Sequence, residues 1–272
     1  MLILSSTFET VIVIVFGLLI GSFLNVVIHR LPLGESIVKP RSRCPSCGFS
    51  LPAYLNIPVL SYLALRGKCY NCKESISVRY PLVELLTALL FLTAKIRFGF
   101  SPLLFIKDFP LIAIFVSVTF IDLKHRIIPD VLSLGGLVLG LIVSFFDPHL
   151  GWQSSFIGAA FGFGFFYGIA WFYVWRTGRM GLGGGDIKLL AMIGAFMGFE
   201  GVVTTIFLSS ILGSVFGIIL ALRERHAREP ETDSVAPDGL MKFSIPYGPF
   251  LVIGALYYYL LGDLLWHPLM HL

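Results

Sequence analysis

Residues 9–29 read ETVIVIVFGLLIGSFLNVVIH, an apolar run with a single acidic residue, Glu9, at its start. A helix that crosses a bilayer needs about 20 consecutive, mostly apolar residues, and this run has that length. No basic region precedes it and no small-residue cleavage site follows it, so we expect a retained span and not a secretory signal. The run therefore predicts a helical membrane protein.

The rest of the chain continues this pattern. Of 272 residues, 56% are hydrophobic and 13% are charged, and the mean hydropathy of +0.87 excludes an ordinary soluble domain. We expect an all-α polytopic membrane protein with about eight transmembrane helices and a small zinc-knuckle cytoplasmic insert. The sixth and seventh spans are separated only by Phe199-Glu200-Gly201, so they form a tight hairpin or one bent element. The predicted spans lie near residues 9–29, 80–97, 103–122, 131–147, 153–175, 186–199, 201–222 and 245–265.

The positions of the basic residues predict the topology. From Arg30 to Arg79 there are eight Lys and Arg but only two acidic residues. Because cytoplasmic loops are enriched in Lys and Arg, we expect this segment in the cytoplasm. Counting spans outward places loops 123–130, 176–188 and 223–242 on the same side and both termini on the outer side.

The chain divides into three predicted parts. Residues 1–30 form the first transmembrane helix, residues 31–79 a soluble insert with all four cysteines, and residues 80–272 a transmembrane bundle. Within the bundle, the polar loop 223–242 contains Pro and Gly and is interpreted as a solvated connector.

The insert contains two CxxC pairs with 21 residues between them. Two such pairs supply four thiolates for a tetrahedral zinc ion, and a cytoplasmic location argues against structural disulfides. A redox pair and accidental spacing are the alternatives. A metal would stabilise a segment that is too small to build a large core of its own. The predicted ligands are Cys44, Cys47, Cys69 and Cys72.

Two aspartates lie where an apolar helix meets a charged loop: Asp122 in VTFIDLKHRIIPD and Asp186 in GLGGGDIKLLAMIG. Each alone has a structural explanation, Asp186 as a helix N-cap and Asp122 as a solvated residue at a helix end. Ionisable groups at membrane depth are costly, however, and two neighbouring carboxyls can divide acid and base roles over one proton. Together they predict a membrane-embedded aspartyl hydrolase. Three glycines before Asp186 leave room for a substrate backbone: Gly183, Gly184 and Gly185.

The helix dipole is expected to distinguish these two carboxyls. Asp122 is predicted near the C-terminus of one helix, and Asp186 near the N-terminus of another. A negative charge is stabilised at a helix N-terminus and destabilised at a C-terminus. If the two carboxyls meet, Asp186 is therefore expected to be the more readily ionised base and Asp122 the protonated partner.

The ordered set of motifs resembles the bacterial type IV prepilin leader peptidases, a family of GxGD aspartyl proteases. A GxGD motif alone is weak evidence, but this set keeps the family order and covers nearly the whole chain. The matching stretches are GSFLNVVIHRLP (21–32), the two CxxC pairs, RYPLVELLTALLF (79–91), DLKHRIIPD (122–130), GGGDIKLLAMIG (183–194) and IPYGPFL (245–251).

The resemblance implies an aspartic endopeptidase of the bacterial inner membrane, active at its cytoplasmic face. Such enzymes remove a basic leader after a glycine during type IV pilus or type II secretion assembly, and their catalytic aspartates map onto Asp122 and Asp186. Many also N-methylate the new N-terminal residue with S-adenosylmethionine. The cysteine tetrad and the large insert are features of this bifunctional form of the family. Expected partners are prepilins or pseudopilins and membrane lipid, without nucleic acid.

The methyl-transfer site is less visible in the sequence. There is no GxGxxG cofactor loop, so the residues that bind S-adenosylmethionine are unknown. Glu84, about one turn inside the second span, and Asn25 are the weak candidates near the insert.

Three other functions are compatible with part of the sequence. A GxGD protease resembling presenilin or signal peptide peptidase would share Asp186 but gives no reason for the cysteine insert. A proton-coupled transporter would use acidic residues near the bilayer midplane, whereas both aspartates are predicted near the cytoplasmic ends of their helices. A zinc-knuckle membrane scaffold would not need either aspartate.

Overall fold

The computed structural model describes residues 2–178, 181–227 and 246–262. These residues contain helices and no β-strand, which confirms the predicted all-α class. Single helical turns occur at Leu31–Leu33 and Ala53–Asn56, and a π-helical turn at Leu104–Asp108. The α-helices are α1 (Leu2–Arg30), α2 (Leu60–Ala64), α3 (Arg79–Phe98), α4 (Phe109–His125), α5 (Asp130–Val143), α6 (Trp152–Thr177), α7 (Gly184–Ala227) and α8 (Gly248–Leu261).

Four segments are helical, long and apolar enough to cross a membrane: Ser6–Leu33, Leu104–His125, Trp152–Thr177 and Gly184–Arg223. The apolar helices α5 and α8 are shorter. The predicted count of eight spans is therefore not confirmed by length and composition. Of the predicted connector 223–242, residues 228–242 lie outside the described part of the chain, as do residues 245 and 263–265 of the last predicted span.

The chain forms two compact units, residues 1–121 and 122–272. In the first unit, α1 and α3 approach each other at backbone distance. A Cβ on Gly17 would lie 2.6 Å from the Cα of Ala88, and a Cβ on Gly21 would lie 2.6 Å from the Cα of Glu84. Small residues one turn apart allow such close helix packing.

The second unit is built around α7, which packs against α5, α6 and α8. A Cβ on Gly162 of α6 would lie 2.6 Å from the carbonyl oxygen of Leu190 in α7. About two turns earlier in α6, the buried Ser155 hydroxyl donates to the Ala195 carbonyl at 2.6 Å. These contacts hold the first half of α7, which carries Asp186, against α6.

Helix α7 is interrupted at Gly198. This residue has φ 70° and ψ −169°, a conformation open essentially to glycine alone. Of the two predicted arrangements, the structure has the one bent element, with its kink at the single non-helical residue Gly198.

Candidate functional site

Asp122 lies in the last turn of α4 and is only 5% exposed. The helix ends three residues later at His125, and the next residue, Arg126, adopts φ 56° and donates its N–H to the Asp122 carbonyl at 2.9 Å. The Asp122 carboxylate accepts a hydrogen bond of 2.9 Å from the backbone N–H of Gly248. Because Gly248 is the first residue of α8, this carboxylate lies at the N-terminus of a second helix.

Asp186 is the third residue of α7 and is half-buried. Its N–H donates to the Gly183 carbonyl at 3.1 Å, so the helix starts within the glycine run. The Asp186 carboxylate is close enough to Asp122 for the charge on Asp122 to act on it. The structure therefore brings the two predicted carboxyls together, and their catalytic role stays a prediction.

The three glycines before Asp186 have different surroundings. A Cβ on Gly183 would lie 3.0 Å from the Asp186 carboxylate, and a Cβ on Gly185 would lie 2.9 Å from the Cβ of Ile128. A Cβ on Gly184 would meet no atom of the described chain within 4 Å. Gly183 thus leaves space beside the carboxylate, while Gly185 permits close contact with the segment that follows Asp122.

A further contact joins the same two segments. The Lys188 ammonium donates to the Asp130 carboxylate at 2.7 Å, and both side chains are partly exposed. Exposed ion pairs contribute about 0–1 kcal/mol, so this pair adds little stability. It connects α7 to the start of α5 two residues after Asp186.

The four cysteines of the insert form one cluster, with sulfur atoms all within 4.8 Å of one another. Four sulfurs at about 2.3 Å from a tetrahedral zinc ion would lie about 3.8 Å apart. The Cys44 and Cys72 sulfurs are 3.8 Å apart, and all four cysteines are unbridged. The predicted tetrad can therefore hold a metal ion such as zinc.

Two backbone turns of the same design present these sulfurs. In the first turn, Gly48 has φ 70° and donates its N–H to the Cys44 carbonyl at 2.9 Å. In the second, Lys73 has φ 61° and donates to the Cys69 carbonyl at 3.1 Å. A glycine at position 48 marks the first turn in the sequence, whereas Lys73 gives no such mark of the second.

The sulfur environment favours a bound cation. Hydrogen bonding from the backbone of Phe49 lowers the pKa of Cys47 to about 6, and hydrogen bonding from the backbone of Cys72 lowers the pKa of Cys69. The pKa of Cys72 is nevertheless raised to about 12, because desolvation and the neighbouring sulfurs outweigh the hydrogen bond from the Glu74 backbone. Four thiolates can coexist here only with a positive charge between them.

The two weak candidates for the methyl-transfer site lie together in the first unit. The Asn25 amide donates to the Tyr80 carbonyl at 3.0 Å and to the Gly21 carbonyl at 3.3 Å. One turn after Tyr80, the buried Glu84 carboxylate accepts a hydrogen bond of 2.7 Å from the Val59 N–H in the insert. Glu84 thus links α3 to the insert.

Two contacts of the aspartate pair could not be read from the sequence. Gly248 lies in the stretch IPYGPFL, which matched a family motif but suggested no role. Ile128 lies between Asp122 and Asp130 and resembles any other apolar loop residue. Both become visible only as spatial neighbours, Gly248 of Asp122 and Ile128 of Gly185.

Two protein-family models and several named proteins match the sequence of this chain. Residues 15–98 match the Bacterial Peptidase A24 N-terminal domain, and residues 109–218 match the Type IV leader peptidase family. A protein of Pseudomonas aeruginosa named prepilin leader peptidase/N-methyltransferase is 40% identical over 276 residues, covering 92% of this chain and 89% of the relative. The chain belongs to the type IV leader peptidase family.

Other relatives of the family agree. A protein of the same name from Pseudomonas putida is 39% identical and covers 92% of this chain and 89% of the relative. Another from Myxococcus xanthus is 43% identical over 225 residues, covering 82% of this chain and 66% of the relative. No solved structure matched this leader peptidase chain. The family model for residues 109–218 contains both Asp122 and Asp186, and the N-terminal model contains the cysteine tetrad.

Proposed function

We propose that this chain is a prepilin leader peptidase that cleaves basic leader peptides after a glycine and then N-methylates the new N-terminal residue. The main support for the peptidase activity is the pairing of Asp122 with Asp186 at the junction of three helices. Asp122 is the last-turn residue of α4, Asp186 is in the first turn of α7, and the N-terminus of α8 contacts Asp122. Membership of the leader peptidase family supports the same activity.

The chemistry requires one ionised and one protonated carboxyl. The ionised carboxylate takes a proton from a water molecule, whose oxygen attacks the carbonyl carbon of the scissile bond. The protonated carboxyl supplies the proton with which the amine leaves as the C–N bond breaks. Since both Asp122 and Asp186 lie near a helix N-terminus, the dipole argument does not assign these roles, and the pair titrates as a unit.

The substrates of this proposal are prepilins or pseudopilins. Their basic leader lies in the cytoplasm and their apolar helix in the lipid, so the scissile bond is at the interface. The enzyme would serve type IV pilus or type II secretion assembly and would not need nucleic acid. Large exposed apolar side chains on α6, among them Trp171, Phe172 and Trp175, fit a lipid environment.

The location that fits these features is the bacterial inner membrane. We place the catalytic face and the insert in the cytoplasm and both termini on the outer side, because the Lys and Arg residues concentrate in the insert and in the loops on that side. Counting the two halves of α7 on either side of Gly198 separately, helices α1, α3, α4, α5, α6 and α8 complete a set of eight spans.

The division of labour follows the sequence. Residues 1–30 supply the first transmembrane helix, residues 31–79 the zinc-binding insert of the methyl-transfer part, and residues 80–272 the peptidase bundle. Zinc in the cysteine tetrad is structural, because four thiolates close its coordination sphere.

The methyl donor of the proposal is S-adenosylmethionine, which supplies an electrophilic methyl group when bound. The residues present fit a ligand that carries N–H donors and positive charge. The Oδ1 atom of Asn25 is buried without a hydrogen-bond partner among the described residues, and Glu84 is a buried carboxylate beside the insert. Both groups accept hydrogen bonds.

Mass spectrometry of a reconstituted reaction tests the proposal. Purified protein is mixed with an inserted prepilin-type substrate and S-adenosylmethionine, and the product mass is compared with that of Asp122→Asn and Asp186→Asn. We expect cleavage after glycine with a methyl-sized mass gain in the parent and no cleavage in either variant. Glu200→Gln, which changes an exposed acid elsewhere on α7, is the matched control. Cleavage by either Asn variant would contradict the dyad.

A further inference from the structure

Asn25 of α1 presents a buried acceptor that nothing in the described chain satisfies. Its side chain is 2% exposed, and its Nδ2 atom faces two carbonyl oxygens, those of Gly21 and Tyr80. Since an amide oxygen would be repelled there, this network fixes the orientation of the amide. Oδ1 therefore points away from both carbonyls and lacks a donor. A buried acceptor without a partner is unfavourable, and a ligand that donates a hydrogen bond to it would recover that cost.

Glu84 of α3 is a second acceptor nearby, and it lacks a cation. It is 7% exposed, and its hydrogen bonds come from neutral groups, the Val59 N–H at 2.7 Å and the Ser22 hydroxyl. Among the described residues, no Lys, Arg or His forms an ion pair with it. Leaving a buried carboxylate without an opposite charge is strongly unfavourable.

The two acceptors lie within one helical turn of each other along the α1–α3 contact. Gly21 lets α1 approach the backbone of Glu84, and Asn25 follows Gly21 by four residues. On α3, the Asn25 amide donates to the carbonyl of Tyr80, and Tyr80 precedes Glu84 by four residues. Residues four apart lie on the same face of a helix.

The insert is strained where it meets Glu84. Val59 has φ 60° and ψ −48°, and the Leu60 N–H donates to the Pro58 carbonyl at 2.6 Å, which closes a γ-turn. A β-branched residue at positive φ is an outlier. Strain of this kind persists where surrounding contacts impose it and clusters at binding sites, and here Glu84 binds the strained N–H directly.

We infer that Asn25 and Glu84 form a binding site for an ammonium group, closed on the insert side by the γ-turn at Val59. An unpartnered carbonyl oxygen and a carboxylate without an opposite charge favour a ligand with N–H donors and a positive charge, which an ammonium group combines. This inference rests on the proposed function, in which two molecules carry such a group. One is the cleaved pilin, through its new N-terminal amine, and the other is the methyl donor, through its amino-acid portion.

Glu84→Gln is the discriminating variant. Glutamine keeps the shape of the side chain and an oxygen that accepts from the Val59 N–H, but it removes the charge. Glu9→Gln is the matched control, since Glu9 is an acid on α1 that lies 3.7 Å from the Lys95 ammonium. Both variants and the parent are compared in lipid nanodiscs for their binding of a mature pilin peptide, the same peptide with an acetylated N-terminus, and S-adenosylmethionine.

We expect Glu84→Gln to weaken the binding of one amine-bearing ligand by about tenfold or more, the loss expected for a hydrogen bond to a charged group. Weaker binding of the free-amine peptide, with unchanged binding of the acetylated one, assigns the site to the cleaved pilin. Weaker binding of S-adenosylmethionine assigns it to the methyl donor. Methylation should fall more than cleavage in this variant, and Glu9→Gln should behave as the parent.

Two results would overturn the inference. One is a Glu84→Gln protein that binds both ligands and methylates as the parent does, in which case ordered water satisfies Asn25. The other is a parent protein that binds the free and acetylated peptides equally and shows no detectable binding of S-adenosylmethionine. Because this result is measured on the parent alone, it does not depend on how the variant folds. A parent that neither cleaves nor methylates would instead contradict the proposed function.

Discussion

The backbone N–H of Gly248 donates to the carboxylate of Asp122 at 2.9 Å, across 126 positions of sequence. A Cβ on Gly248 would lie 2.8 Å from the same carboxylate oxygen. This glycine therefore allows the start of α8 to approach the carboxylate closely enough to bind it. The contact fixes one member of the aspartate pair while leaving the other accessible from the glycine run.

Replacing Gly248 with alanine should impair cleavage far more than it impairs folding. The atom that must move is the end of the Asp122 side chain, so the helix can be kept while the carboxylate is displaced. A misplacement of about 1 Å at a reacting group can cost about 100-fold in rate. Initial rates of prepilin cleavage and the melting temperature of the detergent-solubilised protein measure the two effects.

Gly168→Ala is the control for this experiment, since a Cβ at Gly168 of α6 meets no described atom within 4 Å. It should leave the rate and the melting temperature close to those of the parent. A Gly248→Ala enzyme with the parental rate would show that Asp122 does not need the position observed here.

The neighbouring glycines 184 and 185 give a second prediction, because they differ in surroundings and not in chemistry. Gly185→Ala would bring a Cβ to 2.9 Å from that of Ile128, and overpacking of this kind costs about 1–3 kcal/mol. We expect a lower melting temperature and slower cleavage, since the segments carrying the two aspartates are pushed apart. Gly184→Ala should change both quantities little, and equal effects of the two substitutions would contradict this packing.

Much of the site was predictable because its chemistry is local in sequence. Asp122 and Asp186 stand out as acids at the ends of apolar helices, and the CxxC spacing alone indicates a metal cluster. Gly248 was not predictable in this role, because its partner is distant in sequence and its stretch resembles any helix start. Nor does the sequence distinguish Gly184 from Gly183 and Gly185, since only their spatial neighbours differ.

The helices were predictable to within a few residues from hydropathy, and the breaks between them were less so. The predicted span 80–97 corresponds to α3, Arg79–Phe98, and 153–175 to α6, Trp152–Thr177. The separation after Phe199 was misplaced by one residue, because a glycine at positive φ interrupts α7 at Gly198 without ending it. Glycine in a membrane helix can permit close packing, as at Gly162, or interrupt the helix, as at Gly198, and the sequence does not separate the two.

Removing the metal should affect the insert and not the aspartate pair. Structural zinc contributes about 10–16 kcal/mol to the folding of small zinc domains, so a chelator should loosen the insert. In zinc-loaded protein we expect all four cysteines to resist alkylation, including Cys47 and Cys72, whose side chains are exposed. Chelation should make all four reactive and the insert sensitive to protease, both followed by mass spectrometry.

The control for chelation is the cleavage reaction itself. Both aspartates belong to the unit of residues 122–272, whereas the cysteines belong to the unit of residues 1–121. Cleavage of a prepilin substrate should therefore persist after metal removal at more than about one-tenth of its original rate, a loss smaller than that from removing a group of the dyad. Loss of cleavage in step with the alkylation of the cysteines would show that the metal also supports the peptidase.

The two metal-binding turns predict opposite effects from opposite substitutions. Lys73 holds φ 61°, a conformation that costs a non-glycine residue about 1–2 kcal/mol, so Lys73→Gly should stabilise the second turn. The substitution also removes an exposed hydrogen bond of 2.9 Å from the Lys73 ammonium to the Tyr70 carbonyl, and we expect that loss to be smaller than the strain that is relieved. Gly48→Ala should destabilise the first turn by a similar amount. Since a Cβ there meets no described atom within 4 Å, its cost is that of the backbone alone.

Competition with a chromophoric chelator measures the zinc affinity of both variants. We expect zinc to be held more tightly by Lys73→Gly than by the parent and less tightly by Gly48→Ala. Weaker zinc binding by Lys73→Gly would show that the lysine side chain stabilises the turn by more than its backbone strain costs.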